Sequence, residues 1–248
     1  MMKVILPVLC LSSGALGSRV SSETETTMDL ELATFAEKAK NLYSWVEMND
    51  PVMGGQSFGD FNIVDETGHF EGQVRNVTKL NAPGFCQAMT TSRFDIDVSA
   101  YLEGGLVLMV KTTSPEYQGF KFAFNAIGAP KHHGSHEAMG SYKTDFEATE
   151  EWTRVVLPFD NFSADWSDFT GSCETKDPDG YQHECCSVNA KMCPDKKRLS
   201  HVVGFSVWAE GAEGDFALEI KSIHATLNLG AARVASGIAQ EPIAQESM

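Results

Sequence analysis

Basic residues are scarce in this 248-residue chain. Lys and Arg together number 19 against 34 Asp and Glu, which gives a formal charge of −15. A protein that binds a nucleic-acid backbone or an anionic lipid surface needs a basic face, so we expect neither kind of partner. Hydrophobic residues make up 42% of the chain, enough for a packed core.

Long apolar runs are also missing. The only hydrophobic stretch near the start, residues 4–11, is too short to cross a bilayer. It follows Lys3 and precedes Ala15 and Gly17, a pattern typical of a secretory signal peptide. We predict cleavage after Gly17, no membrane span in the mature chain, and a secretory or extracellular location, with a mitochondrial presequence as the alternative.

The sequence has no P-loop, no G-x-G-x-x-G and no H-E-x-x-H. Residues 55–59 match the G-x-S-x-G nucleophile elbow around Ser57, but that motif needs a helix after the serine, and residues 60–64 read as a strand. A zinc site on His132, His133 and His136 has no evident closing ligand, so we expect a solvated polar loop there. We therefore predict no catalytic residue, metal or cofactor, and a Ser57 hydrolase is the least favoured function.

Cysteines are few but grouped. Cys10 lies in the signal segment, and four others fall within residues 171–194. Because adjacent cysteines rarely bond each other, we expect Cys185 and Cys186 to bridge to Cys173 and Cys193, in either pairing. Cys86 is predicted to be a buried free thiol. The sequons at Asn76 and Asn161 are candidate glycosylation sites.

The body of the chain has the period of β-strands. We predict strands over residues 69–77, 105–110, 119–125, 152–159, 202–208 and 215–227, the last with a bulge or bend between Ile220 and Ile223. Residues 29–41 have apolar positions at helical spacing and are predicted to form one N-terminal helix, within a helical segment 18–41. The fold class is therefore all-β, an antiparallel sandwich over residues 42–229 with a cysteine-rich insertion at 171–194. Residues 230–248 are predicted to be a disordered tail.

One segment, residues 45–57, is rich in turn-forming and polar residues. Asn49 and Asp50 can cap a turn, and Gly54 and Gly55 permit dihedrals that other residues avoid. The segment resembles the signature of the complex I intermediate-associated protein family, a Trp followed by Asn-Asp-Pro-Val-Met-Gly-Gly-x-Ser. Its residues here are Trp45, Asn49, Asp50, Pro51, Val52, Met53, Gly54, Gly55 and Ser57.

Weaker matches to the same family follow in order, from Phe70 and Gly72 to Gly204 and Phe205, and the resemblance covers about residues 42–227. It implies a galactose-binding-like jelly roll, the sandwich shared with carbohydrate-binding modules. It implies a non-catalytic role in assembling the membrane arm of respiratory complex I. The secretory N-terminus and the cysteine-rich insertion depart from the family pattern.

Two binding hypotheses follow. The first is a protein partner bound at the 49–57 turn and the adjoining strands. Its candidate residues are Trp45, Asn49, Asp50, Met53, Gly54, Gly55, Gln56 and Ser57. The alternative is a secreted lectin-like module that binds a glycan on exposed rings, with Trp166 and Tyr181 as the platform. The rings could instead pack beneath the disulfide cluster, and the turn could be purely architectural.

Overall fold

The computed structural model describes residues 29–50, 54–78, 82–135 and 139–230. These residues form an antiparallel jelly-roll sandwich, which confirms the predicted fold class. The strands are β1 Leu30–Thr34, β2 Trp45–Asn49, β3 Phe58–Val64, β4 Thr67–Val74, β5 Asn76–Val77, β6 Ala82–Pro83, β7 Phe85–Thr90, β8 Gly105–Thr112, β9 Phe120–Ala126, β10 Ser141–Asp145, β11 Thr153–Pro158, β12 Val202–Glu210 and β13 Gly214–Thr226. Within the described ranges the single α-helix is α1, Lys196–Leu199.

Two sheets form the sandwich. Sheet A has the order β11-β8-β13-β4-β3, with β1 paired to β13, and sheet B has the order β10-β9-β12-β7-β2. The short strands β5 and β6 pair with each other. β3 and β2 are edge strands of their sheets, and the chain passes from sheet B to sheet A between them. The signature segment is therefore a connection between two sheet edges.

Aromatic side chains fill the space between the sheets. Alternate residues of β9 and β12 point inward, so Phe122, Phe124, Phe205 and Val207 are buried in one cluster. The run on β8 is buried along almost its whole length, as expected for a strand covered on both faces. The remaining face of sheet B carries the polar residues of the same strands, and the cysteine-rich insertion lies over part of it.

β13 is the longest strand, and it bends. Its register with β8 shifts between Ile220 and Ser222, which confirms the bulge predicted from the spacing of its apolar residues. Before the bulge β13 pairs with β4, and after it with β1. The bulge thus gives β13 two different neighbours along one side.

The predicted N-terminal helix is wrong. Residues 30–34 form β1, which pairs with the second half of β13, and turns follow at residues 36–41. Leu32, Ala33 and Phe35 are buried against the core. The side of β13 beyond Ile220 is left unpaired by β4, so ladder hydrogen bonds and core burial outweigh the helical spacing of the apolar residues.

The segments predicted at the chain ends lie outside the described residues. They are the signal peptide at 1–17, residues 18–28 and all but the first residue of the predicted tail. No helix among the residues that the structure describes is long and apolar enough to cross a membrane.

Candidate functional site

Asp50 organises the signature connection between β2 and β3. Its buried carboxylate accepts hydrogen bonds from the Ser57 N–H at 2.8 Å and the Ser57 hydroxyl at 2.6 Å, and from the Phe85 N–H at 3.3 Å. The Ser57 hydroxyl in turn accepts the Arg75 N–H at 3.0 Å. Hydrogen bonds to a carboxylate are strong, so Asp50 and Ser57 tie three separate segments together. We call these two residues the Asp50–Ser57 lock.

Glycines make room for the lock. A Cβ on Gly84 would lie 1.5 Å from Asp50 Oδ2, and one on Gly55 would lie 2.1 Å from Asp50 Cγ. Gly54 has a φ of +87°, a left-handed conformation that favours glycine, with open space around it. The two adjacent glycines therefore serve different needs, one conformational and one steric.

The signature residues divide into buried and exposed groups. Trp45 stacks on Phe61 at 5.2 Å between ring centroids, and Asn49 donates to the Gly59 carbonyl at 2.9 Å. Gly54 and Gln56 are the exposed members of the connection, and Met53 lies outside the described residues. Most of the predicted binding residues here thus pack or form hydrogen bonds within the fold, and few of their side chains face solvent.

Ser57 is not placed as a hydrolase nucleophile. It is completely buried, its hydroxyl is bonded to Asp50 and Arg75, and β3 follows it directly, as the sequence predicted. A nucleophile elbow would present the hydroxyl at an open strand-to-helix turn.

Exposed apolar side chains flank the lock on both edge strands. On β2, Val46 is 39% and Met48 37% exposed. On β3, Phe58 is 52%, Ile63 45% and Val64 49% exposed. We call β2, β3 and the connection between them the signature edge. Sequence reasoning anticipated that strands adjoin the turn, but not that both are edge strands with exposed apolar residues.

The signature edge is acidic. Residues 45–74 contain six carboxylates, of which Asp50 is buried, and no Lys or Arg; the adjoining Arg75 lies over the Phe58 ring at 5.3 Å. Asp60 on β3 lies directly opposite Glu71 on β4, and both are exposed. Like charges opposite each other destabilise a sheet, so this pair has a cost in the isolated protein.

The cysteine-rich insertion forms a second feature, over sheet B. Its disulfides are Cys173–Cys185 and Cys186–Cys193, one of the two pairings left open by the sequence. Cys86 is a buried free thiol, as predicted, and burial, followed by the nearby Asp50 carboxylate, raises its pKa to about 12. Two disulfides are typical of an oxidising compartment.

Trp166 anchors the insertion to sheet B. The Lys143 ammonium lies over its ring at 3.4 Å and over the Trp208 ring at 3.7 Å, and it pairs with the buried Glu210. Trp166 is 3% exposed. Its ring is therefore packed among His132, Lys143 and Trp208, and it offers no open platform to a sugar. Tyr181 remains 38% exposed and stacks on His133.

The histidines of the 131–136 loop pair with the insertion. His132 contacts Asp168 at 2.7 Å and stacks on Trp166, and His133 contacts Asp179 at 3.2 Å. Asp168 precedes the insertion and Asp179 lies within it, and His132 is buried, whereas the sequence predicted a solvated loop. His136 lies outside the described residues.

Buried His183 completes the anchoring of the insertion. Its two ring nitrogens contact Asp165 at 2.7 Å and Asp177 at 2.9 Å. Across the described part of the chain, no group of three or more His, Cys, Asp or Glu is arranged to hold a metal ion.

A polar cleft of about 420 Å³ opens where the insertion meets the ends of β9 and β10. Carboxylates, amides and hydroxyls dominate its walls, and Lys121 pairs with Asp145 inside it. The polar lining residues are Gln118, Lys121, Asp145, Glu147, Ser172 and Glu210.

Both glycosylation candidates are accessible. Asn76 lies on β5 and Asn161 at the end of a single 3-10 turn, and both are exposed. Ser163 of the second sequon is buried and bonded to the Glu184 carbonyl.

Comparison with known proteins gives one family match. The sequence pattern of the family described as "Complex I intermediate-associated protein 30 (CIA30)" matches residues 33–176, more than half of the chain. The match begins within β1, includes the signature and ends inside the insertion, so the resemblance at Gly204 and Phe205 on β12 lies beyond it. No curated protein matches the sequence.

Several solved structures resemble the chain. One is the family 11 carbohydrate-binding module of the cellulosomal cellulase Lic26A-Cel5E of Clostridium thermocellum. It has 10% identity and a TM-score of 0.47, over 79% of this chain and 94% of that one. Another is a family 30 carbohydrate-binding module, with 13% identity and a TM-score of 0.36, over 80% of this chain and 99% of that one.

Proposed function

Because the chain belongs to the complex I intermediate-associated protein 30 family, we propose that it is a non-catalytic protein that binds a protein partner at the signature edge. The name of the family describes association with an intermediate of complex I, and whether the partner of this chain is such an intermediate depends on the compartment that the chain enters. The exposed apolar side chains of β2 and β3 supply the contact surface.

The arrangement of the lock carries the proposal. The side chains of Asp50 and Ser57 are buried, and they form hydrogen bonds with each other and with neighbouring backbone groups. This bonding holds the two edge strands in a fixed relation while five apolar side chains remain exposed beside them. A rigid element with exposed apolar residues is typical of a recognition surface and supports a binding role.

Compartment decides between an assembly role and a secreted one. We propose entry into the secretory pathway, supported by the apolar N-terminal run and the two disulfides, with mitochondrial import as the alternative. The test is the intact mass of the full-length chain carrying a C-terminal tag. A mass starting at Ser18 with glycan on Asn76 or Asn161 supports secretion, and a mitochondrial, unglycosylated protein overturns it.

Site-specific photo-crosslinking tests the binding surface. A photoreactive amino acid replaces Phe58 in the full-length chain in cells, and the matched control carries it at Ile127, which is 51% exposed on another part of the sandwich. We expect a discrete adduct from position 58 and none from position 127. An adduct with a subunit or assembly intermediate of complex I would support the family role. Equal adducts from both positions, or none, would overturn the proposed surface.

Glycan binding is the second candidate, and the polar cleft favours it. Carboxylate and amide groups such as those of Glu147 and Gln118 match the hydroxyls of a sugar, and Tyr181 is a partly exposed ring on the insertion. Binding to a glycan array by the wild-type protein, lost in Gln118→Ala and retained in Gln56→Ala, would support this function. Absence of binding by the wild type would reject it.

A further inference from the structure

The free side of β3 presents unpaired backbone groups. β3 pairs with β4 along all seven of its residues, and no strand among the described residues pairs with its other side. The Phe58 carbonyl oxygen lies against Gly72 of β4, whereas the Gly59 carbonyl accepts from Asn49. Since backbone groups alternate in direction along an antiparallel strand, Phe61 and Ile63 present their N–H and C=O groups to the free side.

Beyond Gly59, whose carbonyl is occupied by Asn49, β3 lacks the residues that usually block pairing at an edge. Its sequence, Phe-Gly-Asp-Phe-Asn-Ile-Val, contains no Lys, Arg or Pro, and its register with β4 is continuous from Phe58 to Val64. Natural edge strands are commonly protected by such residues or by a bulge. An unprotected edge with exposed apolar side chains is a template for another strand.

We infer that the free edge of β3 accepts an extended segment of a protein partner by strand addition, and that this segment carries alternating apolar and basic side chains. The inference rests on the proposed function and specifies how the partner binds. On the face of β3 that carries Asp60, the basic residues of the segment would neutralise the Asp60–Glu71 pair, and on the opposite face its apolar residues would pack beside Phe61 and Ile63.

Charge selects this occupant over a second copy of the chain. Residues 45–74 carry six carboxylates and no Lys or Arg, so pairing two such edges would bring like charges together. A basic segment gains from the same charges and relieves the repulsion between Asp60 and Glu71. Attraction of this kind also makes the affinity depend on salt.

The experiment uses the full chain and a defined probe, the acetylated and amidated peptide Lys-Val-Lys-Ile-Lys-Val-Lys. We expect binding by calorimetry and slower hydrogen exchange of the Phe61 and Ile63 amides. A peptide N-methylated at alternate residues keeps its charges but loses hydrogen bonds, and we expect it to bind at least tenfold more weakly. Equal affinity of the two peptides would overturn strand addition.

Two variants complete the test. Ile63→Pro removes an N–H on the free side, where β4 does not need it, and should reduce peptide affinity at least tenfold, whereas Ile127→Thr should leave it unchanged. The double variant Asp60→Lys, Glu71→Lys should reverse the preference toward a Glu-Val peptide of the same pattern, which keeps the test valid if Ile63→Pro fails to fold.

The outcomes separate the two proposals. If cross-linking from position 58 persists in Ile63→Pro, the binding surface stands and strand addition fails. If position 58 gives no adduct, the proposed function fails. A wild-type dimer in sedimentation experiments that Ile63→Pro abolishes would assign the edge to a second copy and overturn the inference.

Discussion

The carboxylate of Asp50 accepts two hydrogen bonds from Ser57, from the N–H at 2.8 Å and from the hydroxyl at 2.6 Å. Both residues are buried, so neither side chain can form a replacement hydrogen bond with water if the other is removed. The most recognisable residues of the sequence are thus placed inside the fold. The Ser57 hydroxyl is thus engaged in holding the connection, with the Asp50 carboxylate, seven positions earlier in the chain, as its acceptor.

Ser57→Ala should destabilise the protein by about 2–3 kcal/mol, because it removes a hydrogen bond to a buried carboxylate and leaves the Arg75 N–H without its acceptor. Urea unfolding measures the change. Gln56→Ala, at the exposed neighbouring position, should change the free energy of unfolding by less than about 0.5 kcal/mol. Equal stability of Ser57→Ala and wild type would contradict a structural lock.

Gly84→Ala should cost far more than Gly54→Ala. The new Cβ at position 84 would overlap Asp50 Oδ2, whereas the one at position 54 meets nothing and adds only the strain of a φ of +87°. We expect a loss of about 3 kcal/mol or more at position 84 and about 1 kcal/mol at position 54. Thermal unfolding of the two variants checks the order, and the reverse order would show that Asp50 can move aside.

Lys143→Met should destabilise the protein by about 3–5 kcal/mol, because it leaves Glu210 buried without its cation. The double variant Lys143→Met, Glu210→Gln should recover much of that loss, since no uncompensated charge remains. Chemical denaturation of both single variants and the double variant gives the coupling. If the double variant loses the sum of the single losses, the two residues are not coupled as the structure indicates.

Acid should weaken the contact between Asp168 and His132 of the 131–135 loop. Burial raises the pKa of Asp168, but the His132 hydrogen bond and charge, with Lys143 and His183 nearby, outweigh it and hold the pKa below its ordinary value of 3.8. A carboxyl group whose pKa is lower in the folded state than in the unfolded state stabilises the fold at pH values above its unfolded-state pKa. This contribution is lost as the pH falls through the folded-state pKa.

Tryptophan fluorescence between pH 6 and pH 2 measures the loss of the Asp168–His132 contact, since the Trp166 ring packs against His132. We expect a red shift below about pH 4 in the wild type. Asp168→Asn should flatten that part of the profile, and Asp60→Asn, on the other sheet, should retain it. An unaltered profile in Asp168→Asn would assign the acid transition to other groups.

Local patterns predicted much of the sandwich. The alternation in β4, β9 and β13 was correct because one face of each strand packs on the core, and a two-residue period follows directly. The spacing of Ile220 and Ile223 even predicted the bulge. β1 was missed because its apolar spacing fits a helix, and only the unpaired side of β13 favours a strand there.

Burial of the candidate site residues could not be predicted in the same way. Trp166 and Tyr181 belong to one acidic, aromatic stretch, yet Trp166 is buried and Tyr181 is partly exposed. Their difference arises from His132, Lys143 and Trp208, which approach Trp166 from other parts of the chain.

Residue types and short spacings were sufficient to predict the strand periodicity, to identify the family signature and to limit the disulfides to two possible pairings. Three features are visible only in the tertiary structure. Asp50 and Ser57 face each other inside the fold, β2 and β3 are edge strands, and the cysteines adopt one of the two possible pairings. These properties depend on contacts between segments that are distant in the sequence, and the packing of the whole sandwich determines those contacts.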